Sequence, residues 1–356
     1  MFDKNIAYND LPLLPGKFDY EQKEILKLTI KASEALSKLN GLLYLVPNIE
    51  ILISPLLTKE SVESSAIENI NTTTLKVLQS QALPEKNIAG AEKEVLHYHN
   101  AILKGFENIK KYGGIGYNFL IETQSIIEPN KTGIRKLPGT VIANGFGETL
   151  YTPPSGKENI DKLLTNLEKF INDMEDDIDP LIKMPVIHYQ FESIHPFYDG
   201  NGRTGRILNV LYLVLTKKLD FPVLFLSEYI NKTKGKYYKL LNKTTNTNDY
   251  TNLIIYFLEA IIEQSKNTGE KILKIKELMS EKEEKIEKLN MDYSKVTKIL
   301  FSFPFLSVNE LANKLEISRQ AVTNNISKLE ENNVVESIKI GRNKLIFIPE
   351  FIALLS

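Results

Sequence analysis

No cysteine occurs anywhere in the 356 residues, which excludes a disulfide framework and any thiolate metal site. Net charge is nearly absent as well. With 44 Lys and Arg against 45 Asp and Glu, a formal −1, no global field draws nucleic acid or an acidic membrane, and such binding has to come from a local patch. Long apolar runs are missing too. Stretches such as Ile207 to Leu215 fall well short of the roughly 20 residues that a membrane span needs, so no membrane partner is expected. The opening Met-Phe-Asp-Lys-Asn-Ile-Ala lacks a basic start followed by an apolar run, so no leader is expected and the chain is expected to be cytoplasmic. What is present is an ordinary globular composition: 42% hydrophobic residues can bury at least one large core, and the length suggests two or three domains.

The chemistry concentrates between His195 and Arg206, which read His-Pro-Phe-Tyr-Asp-Gly-Asn-Gly-Arg-Thr-Gly-Arg. Apolar periodicity before this stretch (Leu181, Met184, Ile187, Phe191) and after it (Ile207, Leu208, Val210, Leu211) predicts two helices joined by a tight polar loop. The loop therefore sits at a helix start, where unpaired N–H groups and the helix dipole favour anions. Gly200 and Gly202 let backbone approach a ligand, and Asn201 between them can turn an amide donor toward an oxygen. Arg203 and Arg206, three apart on the new helix, lie on one face and can both reach a polyphosphate. Asp199 is a hard oxygen ligand for a magnesium ion carried in with the phosphates. His195 is the side chain whose ordinary pKa suits general-base work near neutrality. Taken singly, a histidine at a helix end is usually structural and Gly-Asn-Gly usually a turn; it is the conjunction that points to a nucleotide-phosphate site.

That conjunction resembles, position for position, the Fic signature His-x-Phe-x-Asp/Glu-Gly-Asn-Gly-Arg-x-x-Arg. The resemblance implies transfer of AMP from ATP, with Mg2+, to a Ser, Thr or Tyr hydroxyl of a target protein and of the enzyme itself. In that reading His195 deprotonates the hydroxyl, Asp199 is the metal residue, Gly200, Asn201 and Gly202 cradle the phosphates, Arg203 and Arg206 stabilise charge, and Phe197 anchors the loop. Relatives with near-identical signatures transfer UMP, phosphocholine or phosphate, and some remove AMP, so those activities stay open as alternatives.

Upstream, residues Tyr20 to Leu39 read as a helix, and Thr58 to Ile70 as a short amphipathic surface helix with Ser64 and Glu68 one turn apart. Ser64, Glu68 and Asn69 also match the Ser/Thr-x-x-x-Glu-Gly/Asn inhibitory motif of many Fic proteins, and the resemblance implies that Glu68 reaches the ATP site and restrains it. Ala91 to Lys111 is a long helix whose His97 and His99, two apart, point to different sides and do not share a metal. Tyr117 to Ile127 and Lys157 to Met174 are further helices. Between them Gly133-Ile-Arg-Lys-Leu-Pro-Gly begins a loop, and residues 140–152 read as a β-hairpin turning at Asn144-Gly145. In the family this hairpin is the flap on which a target segment docks by strand addition. His188, seven residues before His195, is read as packing behind the site. Tyr229 and Tyr237 are candidates for ATP base or target contact, with buried packing the alternative.

Glu270 to Asn290 is mostly Lys, Glu and Ile/Leu, a charged helical connector. Two capped helical stretches beginning at Ser307 and Ser318 and a Gly341-centred strand pair then resemble a winged helix-turn-helix, with Arg319, Gln320, Thr323, Asn324 and Lys328 exposed on the recognition helix and Arg342 and Lys344 on the wing. Residues 291–356 hold eight Lys/Arg against seven Asp/Glu, weak electrostatics for DNA, so a DNA partner and a protein partner or homodimer contact are both open. The expected fold is mainly α: a Fic helical bundle with a β-hairpin flap plus a C-terminal winged helix-turn-helix. The expected domains are an N-terminal helical region 1–110 with the inhibitory helix at about 58–69, a Fic core 111–264, a connector 265–290 and a winged-helix domain 291–356.

Overall fold

The computed structural model describes residues 2–46, 49–83, 88–143 and 146–355. In chain order it has α1 (Lys23–Leu42), α2 (Glu50–Ile67), α3 (Thr74–Gln81), α4 (Gly90–Tyr112), α5 (Tyr117–Ile127), β1 (Ile142–Ala143), β2 (Thr149–Tyr151), α6 (Lys157–Asn172), α7 (Pro180–Ile194) and α8 (Asn201–Leu215). There follow α9 (Ser227–Lys232), α10 (Lys234–Thr247), α11 (Thr251–Glu287), α12 (Tyr293–Ser302), β3 (Leu306–Ser307), α13 (Val308–Leu315), α14 (Arg319–Glu331), β4 (Glu336–Ile340), β5 (Asn343–Phe347) and α15 (Pro349–Leu355). No helix among the described residues is long and apolar enough to cross a membrane.

The chain divides into two compact units: residues 1–37 with 97–265, and residues 38–96 with 266–356. In the first, α7 and α8 form a central helical pair flanked by α5 and α6. The reason lies in their composition. From Leu181 to Phe191 every residue of α7 is buried, and so is Arg203 through Leu213 of α8. Helices apolar nearly all round have to be surrounded by others. Lys183 is buried with them, its ammonium donating to Asp173 O and the Asp176 carboxylate. Gly105 of α4 sits where an added Cβ would fall 2.4 Å from Leu211 Cδ1. The hairpin is antiparallel, Ile142 opposite Tyr151, with a bulge before Ala143; its Asn144-Gly145 turn lies outside the described residues.

In the second unit, α2 packs against α3, α12 and α15. This corrects the expectation of a short amphipathic surface helix. The helix starts at Glu50, and Thr58, Glu60, Ser61, Ser64 and Ser65 are all buried. Two of its hydroxyls bond back along the helix, Thr58 to Ser54 O and Ser61 to Leu57 O, which lets them be covered without water. The charged connector is likewise continuous with α11, whose Ile272, Ile275, Met279, Lys282 and Ile286 form a buried stripe at helical spacing. Lys282 donates to Asn333 O at 3.1 Å and to Glu350 Oε1 at 2.8 Å. The tail has the predicted caps: Ser307 and Glu310 close a capping box on α13, and Ser318 caps α14. A three-stranded antiparallel sheet, ordered β3-β5-β4, completes it, with Gly341 turning the β4–β5 hairpin at φ 59°.

Candidate active site

The site is built where α7 ends. A helix leaves its last carbonyls without intrahelical donors, and here two side chains capture them. The Tyr151 hydroxyl donates to Ser193 O at 2.8 Å, and Arg135 donates through Nη2 to Ile194 O at 3.2 Å and through Nε to His195 O at 2.7 Å. Arg135 is 1% exposed, and its Nη2 also reaches Pro154 O. Its own N–H donates to Pro196 O at 2.9 Å, and Ile134 bridges Phe197 in antiparallel fashion. So terminated, the chain turns at His195, which caps α7 in the left-handed conformation, φ 47° and ψ 58°, with its N–H on Phe191 O. Phe197 is fully buried beneath the turn.

The return into α8 is fixed by Asn201, which accepts from Phe197 N and donates to Phe197 O, each at 2.9 Å. Both polar atoms of the side chain thereby hold the loop, because a four-residue reversal leaves those backbone groups in need of partners, and the second N–H of the amide is the donor left to face a ligand. Gly200 caps α8 at φ 80°, a conformation that suits glycine, with Glu128 Cγ 3.3 Å from where a Cβ would sit. The first intrahelical bond of α8 is Thr204 N to Gly200 O, so the N–H groups of Gly202 and Arg203 precede the ladder.

The charges are arranged differently from what the helical spacing alone predicts. Arg203 is 3% exposed, and its Nη2 lies 2.5 Å from Glu128 Oε1 and 3.5 Å from Asp199 Oδ1. It is turned toward the loop after α5 rather than sharing one open face with Arg206. Asp199 is half-buried, 2.6 Å from Lys131 Nζ, and accepts from Gly200 N at 2.8 Å. Burial alone would raise its carboxyl, but the Lys131 ammonium, the Gly200 amide and Arg203 together hold it below the usual carboxylate range. Among the described residues no cluster of three or more ligating side chains exists. One half-exposed carboxylate suits a cation that brings phosphate and water oxygens with it.

Behind the motif, His188 is wholly buried, its Nδ1 3.3 Å from Gly205 O and its Nε2 2.8 Å from the Tyr237 hydroxyl. Since a carbonyl only accepts, Nδ1 carries the proton and Nε2 accepts from Tyr237. Tyr237 is 2% exposed and packs behind the motif helix, the buried alternative to a ligand contact. Tyr229 is also buried, its ring 5.2 Å from that of Tyr256. Arg206 is 5% exposed and close enough to be felt electrostatically by both His188 and Tyr237. In the second unit, Ser64 is buried in the last turn of α2, Glu68 is that helix's C-terminal cap, and Asn69 takes φ 64° to end it.

Sequence reading missed Gln124, Glu128, Lys131 and Arg135. Gln124, fully buried, donates to Lys131 O and Asp199 O and accepts from Gly133 N. Lys136 N and Leu137 N donate to the Tyr198 hydroxyl. The loop after α5 is thereby fastened along the whole motif. The one available signal was local, a polar loop dense in charge.

Residues 26–107 match the Fic/DOC family N-terminal profile and residues 89–213 the Fic/DOC family profile itself, the latter ending within α8 after the whole motif. The chain belongs to the Fic/DOC family. Residues 296–340 match an HTH domain, in agreement with α12 through β4. The Fic region is similar to the protein adenylyltransferase Fic of Nematostella vectensis, 29% identical over 192 residues that cover 51% of this chain and 42% of that one. It is also similar to protein adenylyltransferase fic-1 of Caenorhabditis elegans, 34% identical over 93 residues, 26% of this chain and 17% of that one. The chain thus spans less than half the length of these curated relatives. Among solved structures, a Fic family protein from Desulfovibrio desulfuricans shares the fold, with a TM-score of 0.58 at 19% identity over 92% of this chain and 97% of that one.

One consequence concerns stability. Burial first, with the Arg206 charge adding to it against the Gly205 hydrogen bond, pushes His188 down to about 3, so it is neutral in the fold. The unfolded chain takes up that proton as pH falls below about 6.5, so the contribution is complete above that value and is lost from there down toward 3. Between pH 7 and pH 5 this group alone is expected to cost about 2 kcal/mol. Urea unfolding at the two pH values should show a smaller loss for His188→Gln than for the wild type. Equal losses would refute the assignment.

Proposed function

We propose that this Fic protein is a protein adenylyltransferase, moving AMP from ATP to a Ser, Thr or Tyr hydroxyl of a target protein and of itself. The observation that supports the reading is the junction of α7 and α8, where His195 caps one helix close in sequence to the N-terminus of the next, the kind of helix end that favours anions. His195 takes the proton of the target hydroxyl as its oxygen attacks the α-phosphorus. The bond from that phosphorus to the bridging oxygen breaks, and pyrophosphate leaves. The N-terminal N–H groups of α8 and Arg206 stabilise the charge that builds on the phosphates. Magnesium, when bound, would be held by Asp199 and would neutralise phosphate charge. The flap at 140–152 receives the target segment along a strand edge.

His195→Ala is expected to leave ATP affinity within about twofold while transfer falls by roughly 10²–10⁴, the usual size of general-base catalysis. Calorimetric titration and intact-mass measurement of self-modification test it; a parallel loss of binding and transfer would remove His195 from the role of base.

We further propose that Glu68 restrains this activity by competing with the terminal phosphate of ATP for Arg206. Support comes from the match of Ser64, Glu68 and Asn69 to the family's inhibitory motif and from the fixed helix end that carries them. Two unit charges about 4 Å apart at an effective dielectric of about 20 attract by roughly 4 kcal/mol before desolvation, so even a fraction suppresses turnover tens- to hundreds-fold. Glu68→Gly should raise self-modification accordingly at saturating ATP and magnesium, with Arg206→Ala inactive in either background. A rate no higher than wild type would leave α2 a structural helix. If the variant also stops removing AMP from a modified target, Glu68 serves that reverse reaction as well.

A second reading, a DNA-binding regulator, is favoured by the tail, where Arg319, Gln320, Thr323, Asn324 and Lys328 are all exposed on α14 and Arg342 and Lys344 on the wing. If α14 enters a groove, affinity for the DNA upstream of its own reading frame should fall steeply with salt and drop on Arg319→Ala. A flat salt response in a gel shift would favour a protein partner for this surface.

A further inference from the structure

The loop that follows α5 supplies a counter-charge to two residues in the middle of the motif: Glu128 to Arg203 and Lys131 to Asp199. The two pairs differ in kind. Arg203 and Glu128 are 3% and 17% exposed, a largely buried pair that is costly to separate. Lys131 and Asp199 are 57% and 38% exposed. An exposed pair of this sort contributes about 0–1 kcal/mol and is readily exchanged. The backbone beneath it is fixed by something else, since Gln124 holds Lys131 O at 2.9 Å and Gly133 N at 3.2 Å whatever the lysine side chain does. The ammonium is thus a mobile cation on a fixed mount, resting on the carboxylate that faces the mouth of the phosphate site. Lys131 Nζ contacts Asp199 Oδ2, while Oδ1 is engaged by Gly200 N.

We propose that Lys131 is a positioning residue that occupies Asp199 as a resident cation until a divalent ion arrives with the nucleotide, and that its displacement sets how much magnesium the site requires. This rests on the reading of the motif as a metal-nucleotide site. The physical argument is competition: a doubly charged ion on Asp199 has to expel the ammonium from Oδ2 and then tolerate a like charge nearby, so metal binding carries the loss of one exposed pair and a residual repulsion. In the absence of the ion, the same ammonium holds Asp199 in place beside Arg203. Lys131 is therefore expected to leave the carboxylate in the loaded state and not to grip the phosphates itself.

The test is calorimetric titration of the full chain with ADP over a series of magnesium concentrations, and with ADP in EDTA. Lys131→Met, which keeps the apolar length and removes the charge, should lower the magnesium concentration needed for half-maximal ADP binding by roughly two- to tenfold, the range set by one exposed ion pair and one nearby like charge. Binding in EDTA should change less than twofold. Lys131→Glu should lower the requirement further, and the differences should shrink as salt screens them. Both variants should keep the wild-type melting temperature to within a few degrees, because the loop is held by Gln124. An unchanged magnesium requirement overturns the proposal, and so does weaker ADP binding with and without metal, which would make Lys131 a phosphate ligand. If the wild type itself binds no ADP at any magnesium concentration, the reading of the motif as a metal-nucleotide site fails, an outcome separate from either of these.

Discussion

The termination of α7 is the constraint on which the site depends. A helix apolar nearly all round has to lie in the middle of the bundle, and its C-terminal carbonyls then need donors that water does not supply. Arg135 and Tyr151 supply them, and both come from the segment that leads into and forms the hairpin. The same contacts that satisfy the helix end therefore hold the left-handed turn at His195 and tie the hairpin to the motif loop. The hairpin and the turn at His195 share one set of hydrogen bonds.

From that turn the rest of the motif follows by local closure. Asn201 staples the loop to Phe197, Gly200 admits the backbone reversal, and α8 begins with its N–H groups ahead of the hydrogen-bond ladder. Beneath it, the His188 and Tyr237 pair gives the motif helix a neutral, hydrogen-bonded floor. A charged histidine there would add a second cation beside Arg206 in a buried place, and burial prevents it.

In the other unit, α2 is embedded among α3, α12 and α15, so the helix bearing Ser64 and Glu68 belongs to the same compact body as the winged-helix elements. The buried Lys282, on Asn333 O and Glu350, fastens α11 to that body. The charge-rich stretch read as a helical connector is helical, with a buried stripe along it.

Much of this was legible without coordinates. The bounds of α5, the existence of a helix on either side of the motif, the caps at Ser307 and Ser318, and the winged tail all follow from periodicity and capping, which act within a few residues. The Fic assignment was legible in one loop, because residues 195–206 resemble the family signature position for position. What the tertiary structure alone decided is which charges meet. Arg135 finds His195 O at 60 positions' distance, Lys131 finds Asp199 at 68, and Arg203 finds Glu128 at 75. No local pattern encodes such partners, because they depend on where packing of the apolar faces brings distant loops together. The burial of α2 and of the connector was hidden for the same reason: a polar-looking helix face is covered or solvated according to what else the fold lays against it.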